Sequence, residues 1–468
     1  MLAGESGVGD SAPVSGSFRD PAGHVFRRDG RILRQVNHAY AADYDQLIAS
    51  GLYRALTERG LLVGHEEIAE PPDRDRAYRV LAPERIPFIS YPFEWAFSQL
   101  KAAARATLSI HRMAVEHGMV LKDASAFNIQ FVGANPVLID SLSFERWVEG
   151  TPWVAYRQFC QHFLGPLALM SATDVRLGAL SRLFIDGPPL DLVSSLLPVA
   201  SKFHPSLLVH LHLHARAQAK HGGAAIAGRT PTGFTRRAML GLVEHLESAV
   251  ERLSYKAAGT TWSDYYANTN YTDAAMAEKH RLVEAMLDLS PSSTTWDLGA
   301  NTGAFSRLAA DAGAYTLAID GDPAAVERAV LAGQARNERR ILPLLMDLAN
   351  PTGAMGWAHQ ERSSLAERGP ADTLLALGLI HHLTLSNHVP FDMTADFLSG
   401  IGRTLIIEFV PPTDSQVVGM ISRMPKSAAE YSVARFEQAF SGRFRVLESE
   451  PIPGTERRLY RMKSRKDL

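Results

Sequence analysis

A glycine-spaced turn between a strand-like and a helix-like stretch constrains the fold of this chain more than any other feature. The run 294–306 reads Thr-Thr-Trp-Asp-Leu-Gly-Ala-Asn-Thr-Gly-Ala-Phe-Ser, with an apolar stretch ending at Asp297 and a helical pattern beginning at Ala304. Gly299 and Gly303 let the backbone approach a ligand without a Cβ clash, and the first N–H groups of the helix face that ligand. We therefore predict a strand, a tight turn and a helix at the entry to a nucleotide-type pocket.

The pattern after this turn alternates between strands and helices. Strands are predicted at 294–298, 314–319, 341–346, 372–377 and 403–409, helices at 303–312, 323–336, 391–398 and 433–440, and a final antiparallel pair at 444–448 and 457–462. Such alternation is typical of an α/β fold with a Rossmann-like, doubly wound and mostly parallel sheet, here of seven strands. Right-handed crossovers place the carboxyl ends of the parallel strands at one edge, where ligands bind.

Acidic residues follow three of these strands at that edge. Asp320 is placed to accept hydrogen bonds from a ribose diol, and Asp347 to accept one from the exocyclic amine of adenine. The backbone N–H of Leu348 would contact the same base, and Ala376 and Leu377 would flank the ligand from the fourth strand. The sequence thus predicts a site for an adenosine-containing cofactor.

The acid beside the glycine turn decides between two such cofactors. Asp297 would repel the pyrophosphate of a dinucleotide, whereas it would attract the amino group and sulfonium of S-adenosylmethionine. Residues 297–303 also match the glycine motif of class I S-adenosylmethionine-dependent methyltransferases, with Asn301 where glycine is commoner, and residues 260–468 resemble that family. The run 372–383, Asp-Thr-Leu-Leu-Ala-Leu-Gly-Leu-Ile-His-His-Leu, matches the family's fourth-strand motif. The resemblance implies S-adenosyl-L-methionine as cofactor.

Candidate catalytic residues lie just beyond the fourth and fifth strands. His381 or His382 is placed to act as general base at the mouth of the pocket, and Glu408 is a third candidate. The aromatic run 261–272 suggests either a cover for the pocket or a packing arm, and its tyrosines Tyr265, Tyr266 and Tyr271 would line the acceptor site. Because in-line positioning supplies much of the catalysis of methyl transfer, a strong base is not required.

The N-terminal half carries a second polar pattern. Asp123 is followed by Asn128 after five residues and by Asp140 after a predicted hairpin. This spacing resembles the catalytic loop and metal-binding strand of the protein-kinase-like fold, which would make Asn128 and Asp140 ligands for Mg²⁺ and Asp123 the group that orients a hydroxyl. The pattern departs from that family because Lys122 precedes Asp123, no glycine-rich loop is visible, and Arg34 replaces the expected lysine. We expect a degenerate kinase-like unit.

The chain is predicted to divide into a flexible tail at 1–17, an N-terminal α+β domain at 18–257 and a methyltransferase domain at 258–468. Within the second region, the predicted elements are a hairpin at 18–36, a helical stretch at 44–59, short strands at 79–82 and 88–91, a long helix at 97–117 and a surface loop at 223–233.

Composition limits the partners and the compartment. The 48 basic and 50 acidic residues give a net charge of −2, so no global charge favours nucleic acid or an anionic membrane. Cys160 is the only cysteine, which excludes an intramolecular disulfide and a cysteine-rich zinc site. His210 and His214 would share a helical face but lack the glutamate of a zinc motif, and no metal is expected. With no signal peptide or transmembrane run recognisable, we expect a cytoplasmic protein.

Together these patterns predict a methyltransferase that acts on a small molecule or a glycan or lipid-linked acceptor. The whole-chain arrangement resembles a group of bacterial methyltransferases that includes rhizobial nodulation host-specificity proteins, which implies a carbohydrate or lipid-linked sugar acceptor. The N-terminal domain would then contribute to acceptor recognition or regulation. Two alternatives are a bifunctional or nucleotide-regulated protein that binds Mg-ATP, and a non-catalytic scaffold with a decayed pocket.

Overall fold

A computed structural model describes residues 13–14, 16–69, 76–221, 233–257, 271–422 and 430–467. We refer to residues 16–257 as the N-terminal unit and to residues 271–467 as the C-terminal unit. Most of the predicted tail, the predicted loop at 223–233 apart from Gly233, and the aromatic run up to residue 270, with Tyr265 and Tyr266, lie outside the described residues.

The N-terminal unit begins with an antiparallel sheet of four strands in the order β1-β2-β4-β3: β1 (Gly23–Arg28), β2 (Arg31–Asn37), β3 (His65–Ile68) and β4 (Ala77–Pro83). Its first hairpin confirms the predicted one. Asp29 and Gly30 both have positive φ angles, as a two-residue turn between twisted strands requires. The predicted helical stretch 44–59 forms two helices, because Gly51 interrupts it with a φ of +80°.

The strand predicted at 88–91 is wrong. These residues are extended but have no neighbouring strand, because the backbone N–H and C=O of Ser90 pair with the side chain of Gln130 at 2.8 and 3.0 Å. A short 3-10 turn, Pro92–Glu94, follows directly. Phe88 and Tyr91 of this stretch are buried in the core rather than in a sheet, whereas Ile89 is exposed.

Two short antiparallel pairs lie beyond the long helix of this unit. Strand β5 (Met119–Leu121) pairs with β8 (Phe144–Arg146), and β6 (Ile129–Val132) pairs with β7 (Asn135–Leu138). The hairpin predicted between Asn128 and Asp140 is therefore present.

The two units together contain sixteen described α-helices. They are α1 (Ala41–Ala49), α2 (Leu52–Glu58), α3 (Phe97–Glu116), α4 (Tyr156–Phe159), α5 (Gly165–Ala172), α6 (Leu180–Leu183), α7 (Leu190–Leu196), α8 (Pro205–Leu207), α9 (His214–His221), α10 (Arg236–Arg252), α11 (Asp273–Asp288), α12 (Ala304–Asp311), α13 (Pro323–Ala335), α14 (Phe391–Ile401), α15 (Ser415–Ile421) and α16 (Val433–Ser441). Among the described helices, none has the length and apolar composition that crossing a membrane requires.

The C-terminal unit contains a seven-stranded sheet in the order β11-β10-β9-β12-β13-β15-β14. Its strands are β9 (Thr294–Leu298), β10 (Tyr315–Asp320), β11 (Ile341–Leu345), β12 (Ala371–Ala376), β13 (Gly402–Phe409), β14 (Phe444–Pro451) and β15 (Arg458–Ser464). The first five are parallel, and β14 and β15 form the predicted antiparallel pair. The chain adds β10 and β11 on one side of β9 and β12 on the other, so a topological switch point lies between β9 and β12.

The apolar core is continuous between the two units. One cluster of buried side chains includes Phe88 and Trp95 from the N-terminal unit and Trp296 and Leu344 from the C-terminal unit. The rings of Phe88 and Trp296 meet edge to face with centroids 5.7 Å apart. The sheet that carries the predicted pocket is thus packed directly against the N-terminal unit.

Two histidines of the N-terminal unit, His210 and His245, form a hydrogen-bond chain with Tyr156. His210 Nδ1 lies 2.6 Å from the hydroxyl of Tyr156, and His210 Nε2 lies 2.7 Å from Nδ1 of His245. Burial lowers the pKa of His210 to about 4. Over the described ranges, no group of three or more histidine, cysteine or acidic residues is arranged to hold a metal ion.

Candidate functional site

A cavity of about 750 Å³ opens at the switch point, over the carboxyl ends of β9, β10, β11 and β12. Eight of the residues predicted from the sequence line it: Asp297, Gly299, Asn301, Asp320, Asp347, Leu348, Leu377 and His382. The sequence patterns missed the other lining residues, which are Met276, Lys279, Ala300, Phe305, Gly321, Asp322, Pro323, Met346, Gly378, Leu379, Leu383, Ser386 and Asn387. A volume of this size is typical of small-molecule and cofactor sites.

The glycine turn forms the floor of the cavity in a left-handed backbone conformation. Gly299 and Gly303 have φ angles of +76° and +83°, and Asn301 between them has +51°. Asparagine is among the few residues that tolerate this region, which explains why it stands where glycine is commoner. Gly303 itself does not line the cavity but allows α12 to begin beside it.

Asp297, the penultimate residue of β9, lines the cavity from a buried position. One carboxylate oxygen accepts a hydrogen bond from the hydroxyl of Ser306 at 2.6 Å. Burial nevertheless dominates and raises the pKa of Asp297 to about 6. At neutral pH the site therefore holds a desolvated carboxylate that a cationic ligand would stabilise.

Asp320 is held in position by the backbone around it. Its Oδ2 atom accepts from the N–H of Asn301 and its Oδ1 atom from the N–H of Asp322, each at 2.8 Å. Burial raises the pKa of Asp320 from its ordinary value. Each carboxylate oxygen retains a second lone pair, so the group can also accept hydrogen bonds from a ligand in the cavity.

The adenine-side residues lie at the rim of the cavity. The exposed Asp347 accepts a hydrogen bond from the backbone N–H of Ala349 at 2.8 Å, and Leu348 is half-buried beside it. Leu377 lines the opposite wall, whereas Ala376 is buried inside β12 and does not reach the cavity.

The two histidines after β12 differ in their placement. His382 lines the cavity and begins a π-helical turn, His382–Ser386, while His381 lies behind it with ring centroids 4.1 Å apart. Burial lowers the pKa of His382 to about 4 and that of His381 well below its ordinary value. Both imidazoles are therefore neutral at physiological pH, and only His382 can meet a ligand in the cavity.

Glu408 lies in a buried ionic cluster rather than at the cavity surface. Lys279 Nζ donates to it at 2.6 Å, Arg457 Nη1 donates at 3.2 Å, and the hydroxyl of Tyr271 also donates to it. Asp414 accepts from Arg457 Nε at 2.8 Å. Burial alone would raise the pKa of Glu408, but the two cations outweigh it and lower the pKa to about 2. The arrangement leaves Glu408 unsuited to accept a proton near neutral pH.

The polar residues of the N-terminal pattern, Asp123, Asn128 and Asp140, are each paired with another side chain of that unit. Arg34 Nη2 lies 2.6 Å from a carboxylate oxygen of Asp140. Asp123 accepts a hydrogen bond from the side-chain amide of Gln158 at 2.7 Å, and the amide of Asn128 donates to a serine hydroxyl at 3.3 Å.

Replacement of Asp297 by asparagine is expected to stabilise the ligand-free protein at pH 7.5 by about 1–3 kcal/mol. The pKa of Asp297 is higher in the folded than in the unfolded protein. Ionisation of Asp297 therefore destabilises the folded state to its full extent above about pH 6 and has no such effect below about pH 4. Urea unfolding should accordingly show a much smaller gain at pH 4.5 than at pH 7.5. The control is Asp311→Asn at an exposed position, which should change the free energy of unfolding by less than about 0.5 kcal/mol. A gain that does not depend on pH would contradict the burial explanation.

Comparison with known proteins identifies one relative along the whole chain. The chain is 33% identical over 460 residues to the nodulation protein NoeA of Rhizobium meliloti (strain 1021), and the match covers 96% of this chain and 95% of that protein. No protein-family model matches the chain.

Similar solved structures include methyltransferases. The N-methyltransferase NodS from Bradyrhizobium japonicum WM9 is 14% identical and matches with a TM-score of 0.31, covering 41% of this chain and 97% of NodS. The magnesium protoporphyrin IX methyltransferase ChlM from Synechocystis PCC 6803 is 18% identical with a TM-score of 0.31, covering 43% of this chain and 92% of ChlM. Likenesses at these TM-scores carry no conclusion about function.

Proposed function

The chain belongs to the family of the nodulation protein NoeA, and from that premise we propose that it is an S-adenosylmethionine-dependent methyltransferase. The observation that supports this proposal most strongly is the pairing of Asp320 with the glycine turn through the N–H of Asn301. This contact holds a carboxylate beside a left-handed turn at the switch point of a parallel sheet, where a nucleoside would bind.

The residues around the cavity fit this cofactor. Asp320 would accept hydrogen bonds from the ribose diol, Asp297 would attract the amino group and sulfonium, and Asp347 and Leu348 would contact the adenine. Gly299 forms the floor with a φ of +76°, a backbone conformation that favours glycine. When bound, the cofactor supplies an electrophilic methyl group to the acceptor.

The acceptor would enter past the π-helical turn. His382, Ser386 and Asn387 line this side of the cavity and offer neutral polar groups to a hydroxyl or amine. We propose His382 as the group that orients the acceptor through a hydrogen bond, because its imidazole is neutral and reaches the cavity; with a pKa of about 4 it is a weak base, so proton removal need not precede methyl transfer. His381 and Glu408 would instead hold this wall in place. An uncharged polar mouth suits a small molecule or glycan better than an anionic polymer.

For the N-terminal unit we propose a kinase-like arrangement that supports the methyltransferase. This arrangement is supported by the strand pairs β5–β8 and β6–β7 and by the spacing of Asp123, Asn128 and Asp140. We propose that the unit ends at residue 257. The ion pair of Arg34 with Asp140 does not favour the alternative of Mg-ATP binding, because it already neutralises the carboxylate that would hold the metal. A thermal-shift comparison with and without Mg-ATP checks this, and we expect an unchanged midpoint.

Titration calorimetry with S-adenosylmethionine and S-adenosylhomocysteine tests the cofactor assignment. We expect one site per chain and dissociation constants in the micromolar range, about −8 kcal/mol. Absence of binding would contradict the proposed function. Incubation of a cell extract with methyl-labelled cofactor and the purified protein would then identify the acceptor, and binding without any labelled product would favour the non-catalytic alternative.

A further inference from the structure

The connection between β11 and β12, residues 346–370, links the cavity to the N-terminal unit. It starts with Met346, Asp347 and Leu348, which line the cavity, and it returns to β12, which leads to Leu377 on the opposite wall. Throughout this range it forms two short 3-10 turns and no α-helix. The connection therefore depends on contacts with other parts of the protein for its shape.

Glu94 of the N-terminal unit contacts both ends of this connection. Its Oε1 atom accepts from the hydroxyl of Thr352 at 2.5 Å and from Arg368 Nη2 at 2.6 Å, and its Oε2 atom accepts from Arg368 Nη1 at 2.9 Å. The side chains of Glu94 and Arg368 are 1% and 5% exposed. A paired, bidentate contact of this kind fixes geometry as well as charge.

Further contacts make the attachment of the two ends rigid. The backbone N–H of Leu365 donates to the C=O of Thr352 at 2.8 Å, which closes the connection on itself. The guanidinium of Arg368 lies over the rings of Phe88 and Tyr91, at 4.8 and 4.6 Å from their centroids. The carboxylate of Glu94 also accepts from the backbone N–H of Tyr91 at 2.9 Å, so it cannot move independently of the N-terminal unit.

The middle of the connection is held against the same unit. Met355 packs on the cluster of Tyr91, Phe93 and Phe127, and the guanidinium of Arg362 lies 4.4 Å from the ring centroid of Phe127. The adenine-side residues are held differently: Leu348 packs partly against the core, whereas the side chain of Asp347 is held by a backbone N–H only two residues away. Beyond Leu348, Arg182 Nη2 donates to the C=O of Pro351 at 3.3 Å, and Thr352 follows with a buried side-chain contact to Glu94.

We propose that Glu94 is a positioning residue for the cofactor site: through Thr352 and Arg368 it sets the position of the adenine wall. This role rests on the proposed function, and it gives the N-terminal unit a part in cofactor affinity without a ligand of its own. The unit would act on the cavity through the connection, since none of its described residues lines the cavity.

Replacement of Thr352 by valine tests this role, with Ser98→Ala as a matched control. Each change removes one hydroxyl-to-carboxylate hydrogen bond of 2.5 Å between the two units, since Ser98 Oγ donates to Glu327 on α13. The start of α13 is held locally by its capping residue Asp322, so the control bond does not determine the cavity wall. By calorimetry we expect Thr352→Val to raise the dissociation constant of S-adenosylhomocysteine about five- to tenfold, the equivalent of one hydrogen bond.

Measurement of both cofactor affinity and thermal stability distinguishes a role in positioning the cofactor site from a general destabilisation of the protein. Both variants should lower the midpoint of thermal unfolding by similar amounts, while Ser98→Ala keeps its affinity within about twofold and Thr352→Ser recovers most of the wild-type affinity. Glu94→Gln, which retains volume but loses the charge, should weaken binding more than Thr352→Val. Unchanged affinity in Thr352→Val and Glu94→Gln, or an equal loss in Ser98→Ala, would overturn the proposal. Wild-type protein that binds no S-adenosylhomocysteine would contradict the proposed function itself and this role with it.

Discussion

Asp320→Asn is expected to weaken binding of S-adenosylhomocysteine by at least about 100-fold, because two hydrogen bonds to a charged acceptor contribute about 1.5–3 kcal/mol each. The amide retains one oxygen but replaces the other acceptor with a donor, which faces either the N–H of the turn or the ribose hydroxyl. Binding is measured by calorimetry, and circular dichroism checks that the fold is retained.

The matched control is the same substitution at Asp372, which lies near the amino end of β12 and away from the cavity. Like Asp320, this aspartate accepts two backbone N–H groups, from Ser293 at 2.9 Å and Thr294 at 3.1 Å. Asp372→Asn should therefore cost stability but leave affinity within about twofold. Equal affinities for the Asp320 and Asp372 variants would refute the assignment of the ribose site.

Glu408→Gln is expected to destabilise the protein by about 3–5 kcal/mol at pH 7, because it leaves Lys279 and Arg457 buried without their shared carboxylate. The side chains of Glu408 and Lys279 are 0% and 4% exposed, so water cannot replace the lost charge. The folded-state pKa of Glu408 is lowered to about 2. Its stabilising contribution is thus present above the unfolded pKa near 4.5 and is lost as the pH falls toward 2.

Chemical denaturation at pH 7 and pH 3 measures this effect, and the difference between wild type and Glu408→Gln should shrink at the lower pH. Glu278→Gln, which removes a partly exposed glutamate paired with the exposed Arg281 on α11, should change the unfolding free energy far less than Glu408→Gln does. A double-mutant cycle with Lys279→Met should give strong coupling, since the two residues share one buried bond. Full stability of Glu408→Gln at pH 7 would show that the cluster is not ionised as described.

The C-terminal unit was largely predictable because each local pattern there agrees with the global fold. Alternating apolar and amphipathic stretches placed the five parallel strands within one or two residues, and turn residues such as Gly299 and Asn301 occupy the left-handed conformations that their chemistry allows. The strand predicted at 88–91 failed for the opposite reason. Phe88 and Tyr91 are buried, but a side chain from a distant hairpin, Gln130, takes the backbone hydrogen bonds of Ser90 that a neighbouring strand would have taken.

The candidate residues at the cavity follow the same rule: local sequence patterns predicted some of them and missed others. Those at strand ends, such as Asp297 and Asp320, were found because topology brings such ends to one edge. Lys279 was missed because it lies on a helix before the first strand, where no local pattern marks a residue that faces the cavity. Asp372 belongs to the fourth-strand motif in the sequence, yet it lies at the opposite end of the sheet from the other acids.

The sequence by itself determined the parallel sheet, the glycine turn and the acids at its edge, because these follow from short-range periodicity and from the conformational limits of single residues. Only the tertiary structure decided which candidates meet the cavity and in what charge state. Burial of Asp297 raises its pKa, and Lys279 and Arg457 lower the pKa of Glu408. Both effects come from residues that are distant in the chain, so short-range sequence patterns do not contain them. The contact of Glu94 with Thr352 and Arg368 spans more than 250 residues and has no signature in either segment.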